Sequence, residues 1–165
     1  MELPKRKRNR LIYYDYSKAG AYFITVCTEG RRCVLAYPVG AITDRPQTEF
    51  ALTSYGVAVD RAIKQIPYNN VRVDEYVIMP NHVHLLIVLL PTENGRSMIA
   101  PTINNIVRHI KAYVSREIGH TVWQKSFHDH VIRNRRSYQK IREYIKNNPV
   151  TWENDCFYKY DYFIN

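Results

Sequence analysis

The sequence predicts an α+β fold, an antiparallel sheet with helices packed on one face, and three observations carry that prediction. Short β-branched and aromatic runs recur along the 165 residues, segments with helical apolar spacing separate them, and two of the runs meet at a turn pair, Pro80-Asn81. An apolar content of 45% is enough for a core and excludes a disordered chain. The length suits one domain over two. That domain is expected to span residues 1–165, with a basic arm over about 1–12 and a short tail over about 150–165.

The elements follow in order. Ala21 to Thr28 (AYFITVCT) reads as a strand. Ala36 to Leu52 holds Pro38, Gly40 and Pro46 among short apolar pieces, the pattern of a surface hairpin or excursion. Ser54 to Ile66 spaces Val57, Val59, Ala62, Ile63 and Ile66 as a helix until Pro67 ends it. Val71–Met79 and His82–Leu90 then form an antiparallel hairpin about Pro80-Asn81. Glu93-Asn94-Gly95 opens a loop. A second helix runs from about Thr102 to Ile118, with Ile103, Ile106, Val107, Ile110 and Val114 on one face and Gly119 as its stop. Phe127 to Arg133 (FHDHVIR) alternates as a fourth strand, with His128 and His130 on one face. A last helix starts near Ser137, read as its N-cap, and reaches about Asn148 before Pro149. The order β-α-β-β-α-β-α fits a ferredoxin-like sheet better than alternating parallel βαβ units.

Charge indicates the partner. The net charge is +9 and the pI near 9.5, which suggests a polyanion. From Asn104 to Lys146 there are ten Lys/Arg against three Asp/Glu, and five more basic residues lie between Lys5 and Arg10. Fourteen tyrosines and five phenylalanines are interleaved with these cations. Stacking rings beside phosphate-seeking charges suit single-stranded nucleic acid. No apolar run is long enough to span a membrane, and no membrane partner is expected. Met1 to Pro4 followed by Lys5-Arg6-Lys7-Arg8 lacks the apolar stretch of a signal peptide. Cys27, Cys33 and Cys156 are odd in number without CxxC spacing, as expected of reduced thiols in a cytoplasmic protein.

The chemistry concentrates in two places. His82-Val83-His84 opens the otherwise apolar strand through Leu90, and residues i and i+2 share a face, so both imidazoles point one way as paired ligands for a divalent cation. Tyr144 and Asn148 stand four apart on the last helix, one turn from each other. If that helix crosses the histidine strand, Asn148 brings an amide oxygen to the metal and Tyr144 a phenol beside it. A phenol with a pKa near 10 is a poor nucleophile, and a neighbouring cation and a basic surround are expected to lower that barrier. Spacing alone leaves the plainer reading open, in which Tyr144 is a half-buried helix residue and Asn148 a C-cap before Pro149. Tyr138 lies about 240° round the helix from Tyr144 and reads as packing.

PNHVHLL resembles the His-hydrophobe-His motif of HUH endonucleases, and IREYIKNNP resembles the tyrosine helix of the REP-associated, single-tyrosine transposases. YDYSKAGAYFITVCTEGR, VDEYVIMPNHVHLLI and VWQKSFHDHVIRN occur in that family's order, so the likeness extends over most of the chain. The resemblance implies a palm on which His82, His84 and Asn148 hold Mg²⁺ or Mn²⁺. It further implies that Tyr144 attacks single-stranded DNA at hairpin-flanked sites, forming a 5′-phosphotyrosine and freeing a 3′-hydroxyl. Asn148 is one methylene shorter than the Gln of some relatives. Family members are monomers or homodimers. Lys5, Arg6, Lys7, Arg8, Arg108, Lys111, Arg133, Arg135 and Arg136 are the candidate DNA contacts. Three rivals share parts of this pattern: a hairpin-binding protein without the tyrosine chemistry, a replication-initiator or relaxase-type nuclease, and a phosphohydrolase. The last needs carboxylates, and the hairpin offers only Asp74 and Glu75.

Overall fold

The computed structural model describes residues 15–39, 49–91 and 102–158. β1 (Gly20–Cys27) is followed by an antiparallel pair of its own, β2 (Ala36–Val39) with β3 (Glu49–Leu52), the expected excursion. Helix α1 (Ser54–Lys64) leads into β4 (Val71–Ile78) and β5 (His82–Leu89). Helix α2 (Ile103–Ile118), β6 (His128–Ile132) and α3 (Arg135–Asn147) complete the order. The main sheet is antiparallel throughout, ordered β4-β5-β1-β6, so the histidine strand lies inside it.

Strand alternation splits the apolar residues between two layers. Tyr22, Ile24 and Val26 of β1 and Val83, Leu85, Ile87 and Leu89 of β5 face α1 and α2 in the larger core. The opposite face carries Phe23 and Leu86, which with Ile132 meet Tyr138, Ile141 and Ile145 of α3. Two helices thus cover one face, as expected, and the third crosses the other. The cause is a stripe on α3 at i, i+3 and i+7 among polar neighbours, enough to cover one narrow patch.

Local chemistry sets the boundaries. Thr53 and Thr102 cap α1 and α2 by accepting from the amides of Gly56 and Asn105. Gly119 ends α2 in the left-handed region at φ 88°. At the start of α3 the expectation needs correcting. The cap is Asn134, whose side chain accepts from the Ser137 amide at 2.8 Å, because a short amide in extended backbone suits that role and Ser137 lies inside the first turn. A β-bulge between Val73 and Glu75 puts Arg72 and Glu75 opposite Val88 and Leu86, on the α3 face. Arg142 and Lys146 of α3 pair there with Glu75 at 3.4 and 3.6 Å. Cys27, Cys33 and Cys156 are free thiols. Among the described residues no helix is long and apolar enough to cross a membrane. Lys5, Arg6, Lys7 and Arg8 lie outside the described residues.

Candidate metal and nucleophile site

The histidines occupy the α3 face of the sheet. His82 pairs with Cys27 and His84 with Thr25 across β1, and both imidazoles are buried, at 0% and 1% exposure. Each ring is held by its second nitrogen. Asn81 donates its amide to the carbonyls of Phe157 and Arg31 at 2.8 and 3.3 Å, so its oxygen faces His82 Nδ1 at 2.9 Å. That oxygen can only accept, which puts the proton on Nδ1 and leaves the Nε2 lone pair bare. His84 Nδ1 meets the Thr25 hydroxyl at 2.9 Å, and its Nε2 lies 3.3 Å from the Tyr144 hydroxyl.

Burial keeps these rings neutral. It pushes His84 down to about 4, partly opposed by the Asp155 carboxylate, and holds His82 well below its ordinary 6.5, with His84 adding to the effect. A neutral imidazole at pH 7 is the form a metal requires.

Helix α3 brings Tyr144 and Asn148 to the same place, as their spacing required. Tyr144 is 40% exposed, with its ring edge-on to Phe23 at 6.1 Å. Asn148 is the C-cap and fully buried. Its amide donates to Asp155 Oδ2 at 2.7 Å, and a carboxylate can only accept, so the amide's orientation is settled. Among the described residues, Asn148 Oδ1 is then buried with no hydrogen-bond partner, as is His82 Nε2. Two bare acceptors in a dry site are costly unless a cation or donor meets them.

Asp155 is the residue that sequence reasoning missed. Its Oδ2 accepts from the Tyr144 hydroxyl at 3.0 Å as well as from Asn148. One ligand atom each of His82, His84 and Asp155 lie within 4.8 Å of one another. The chain reaches this position through a short 3-10 turn, Trp152–Asn154. Trp152 is buried, 5.7 Å from the His82 ring and edge-on to Phe50 at 6.3 Å. Phe157 lies 4.7 Å from His82 beneath the Arg31 guanidinium. No periodicity marks this tail, so no sequence signal singled out Asp155 from its other acids.

The phenol of Tyr144 is only partly exposed and rests on a carboxylate. Burial first, and then the Asp155 charge, push it well above its ordinary 10.

The donor set fits a divalent cation. It offers two neutral imidazole nitrogens, an amide oxygen and a carboxylate oxygen, a mixture that Mn²⁺ accepts more readily than the oxygen-seeking Mg²⁺.

The candidate DNA contacts scatter. Arg108 lies on α2, beyond the other face of the sheet, beside a cavity of about 540 Å³ that Lys125 and Phe127 also line. Lys111 is directed inward, donating to the carbonyls of Gln124 and Ser126 at 2.6 and 3.1 Å, which gives it a structural role. Arg133, Arg135 and Arg136 are exposed about the start of α3. His128 and His130 pair with Thr25 and Phe23, so they too share the site's face, both exposed.

Residues 55–148, which include His82, His84, Tyr144 and Asn148, match the family described as Transposase IS200 like. An uncharacterised protein of Haemophilus influenzae is 34% identical over 174 residues, covering 93% of this chain and 93% of its own. The solved structure of a REP-associated tyrosine transposase bound to a REP hairpin superposes with a TM-score of 0.56 at 22% identity, over 94% of this chain and 92% of that one. A transposase-like protein from Deinococcus radiodurans gives 0.47 at 18%, over 84% and 95%. At 22% identity, the likeness to the hairpin-bound structure speaks for the fold.

Proposed function

The chain belongs to the IS200-like family of HUH single-tyrosine transposases, and on that premise we propose that it cleaves and rejoins single-stranded DNA at hairpin-flanked sites through a phosphotyrosine. The observation that carries this reading is the meeting of Tyr144 with His84 at 3.3 Å, beside the bare acceptors of His82 and Asn148. The REP hairpin of the structural relative favours a hairpin substrate here.

His82, His84 and Asn148, with Asp155 as the anionic member, would hold Mn²⁺ or Mg²⁺. A divalent ion bound there supplies charge that polarises the scissile phosphate and eases ionisation of the phenol. Tyr144 Oη attacks phosphorus in line; the Oη–P bond forms and the P–O3′ bond breaks. The phenolic proton passes to the Asp155 carboxylate that already accepts its hydrogen bond, and the 3′-oxygen takes a proton from solvent. The new ester retains the energy of the broken one, so a different 3′-hydroxyl can reverse the step and join strands.

Incubation with hairpin-flanked single-stranded DNA and Mn²⁺ tests this on a denaturing gel. The parent chain should form a protein–DNA adduct. Tyr144→Phe, which removes only a hydroxyl, should keep DNA affinity within a few-fold and form none. An adduct that survives in Tyr144→Phe but vanishes in Tyr138→Phe would move the nucleophile. The absence of any adduct from the parent would leave only a DNA-binding role.

A further inference from the structure

A second hollow lies on the same face as the site, at the opposite end of α3. It encloses about 600 Å³, and Arg72, Arg133, Arg135 and Arg142 line it together with Tyr138 and Gln139. The arginines come from three places: β4, the turn after β6, and α3 itself. Asp74 neutralises Arg72, and Glu75 meets Arg142 at 3.4 Å. Among the described residues Arg133 and Arg135 form no ion pair. Guanidiniums present two parallel donors to phosphate oxygens, and the positive end of the α3 dipole opens onto the same hollow. Arg133 and Arg135 are therefore the two guanidiniums chemically suited to meet an anion there.

The hollow also has a ring on its wall. Tyr138 packs against the cluster of Leu86, Ile132 and Ile145, so its orientation is fixed, and its remaining surface lines the hollow. The packing role expected of Tyr138 is what it has, and it leaves part of the ring on the hollow. Cations beside a held aromatic face form a phosphate-and-base receptor, and a paired duplex does not expose the base faces that such a ring stacks on. Six residues of helix separate Tyr138 from Tyr144, about 9 Å along the axis.

We infer that this hollow is a nucleotide subsite, taking one unpaired nucleotide of single-stranded DNA with its phosphates on the arginines and its base on Tyr138. The bound nucleotide lies a few positions along the strand from the bond that Tyr144 attacks. The inference rests on the strand-cleavage reading for its choice of DNA, not for the reactivity of Tyr144.

Binding in the Tyr144→Phe chain isolates it from cleavage. Oligo-dT carrying one 5-iododeoxyuridine is titrated at several salt concentrations, irradiated, and the crosslinked peptide mapped by mass spectrometry. The crosslink should fall on Tyr138, and Tyr138→Leu should weaken binding about five-fold or more while losing it. Arg133→Gln with Arg135→Gln should weaken binding and lower the salt slope by about 1.4, the release expected for two single-strand phosphates. Arg116→Gln, an exposed arginine on α2, is the control and should shift neither toward those values. Parental affinity and slope in the double arginine variant, whose exposed side chains the core does not use, would overturn the subsite even if Tyr138→Leu folded poorly. So would a crosslink confined to the Arg108–Phe127 cavity. If the parent forms no adduct yet the crosslink maps to Tyr138, the cleavage reading fails and the subsite stands.

Discussion

At the scale of single residues the site is built from second partners. Asn81 orients His82, Thr25 meets the far side of His84, and Asp155 ties Tyr144 to Asn148. Removing such a partner usually weakens metal affinity by about 10–100-fold. Asn81→Ala should therefore weaken Mn²⁺ binding by that order, measured by electron paramagnetic resonance of free ion, and His82→Ala should abolish it. Unchanged affinity in both variants would place the ion elsewhere. The same burial predicts acid sensitivity. In the unfolded chain His84 takes its proton near pH 6.5, and in the folded chain only near 4. Below 6.5 the unfolded state thus binds more protons. Stability is fully present above pH 6.5 and is lost as pH falls from there toward 4. The loss at this one group is on the order of 3 kcal/mol. Thermal unfolding in EDTA should show a midpoint falling by roughly 6–12 °C across that window, and the fall should be shallower in His84→Gln. A flat profile would contradict a buried, neutral imidazole.

At the scale of elements, α3 decides whether the site exists. It rests on a small cluster, Leu86 and Ile132 beneath Ile145, with Ile145 only 1% exposed. Ile145→Ala leaves a cavity and should cost about 2–5 kcal/mol, lowering the unfolding midpoint on the order of 10 °C. Because Tyr144 precedes it, adduct yield should also fall at temperatures where the chain is still folded. Val150→Ala, at a 54% exposed position, should do neither. Helix α1 carries a different constraint. A Cβ on Gly56 would lie 2.1 Å from the Leu35 carbonyl oxygen, so this glycine is required where the helix passes the start of β2.

At the scale of the whole molecule, charge and sheet work together. The +9 charge is unevenly spread, and the exposed arginines about the start of α3 lie on the face that carries Tyr144. The proposed function accordingly expects single-stranded or hairpin DNA to bind better than blunt duplex at fixed salt, with affinity falling steeply as salt rises. Filter binding at matched ionic strength measures both. Equal affinity for the two forms would remove the role assigned to the aromatic residues.

Periodicity determined a good deal of this protein by itself. Alternation in HVHLLIVL puts both histidines on one face, and a four-residue step puts Tyr144 and Asn148 on one side of a helix. These are properties of local backbone geometry, which is why they were legible, as were the β4–β5 hairpin and the helices α1 and α2. Which face α3 would cover was not local. It follows from where Phe23, Leu86 and Ile132 leave a second apolar patch, and the expectation of helices on one face held for α1 and α2 alone. Lys111 looked like a free cation until two loop carbonyls met it. Asp155 lies eleven residues past Tyr144 in a tail without pattern, and only its return across the sheet gives the phenol and the Asn148 amide their common partner. Tertiary structure decided these points because each depends on a contact between segments whose spacing in sequence carries no period.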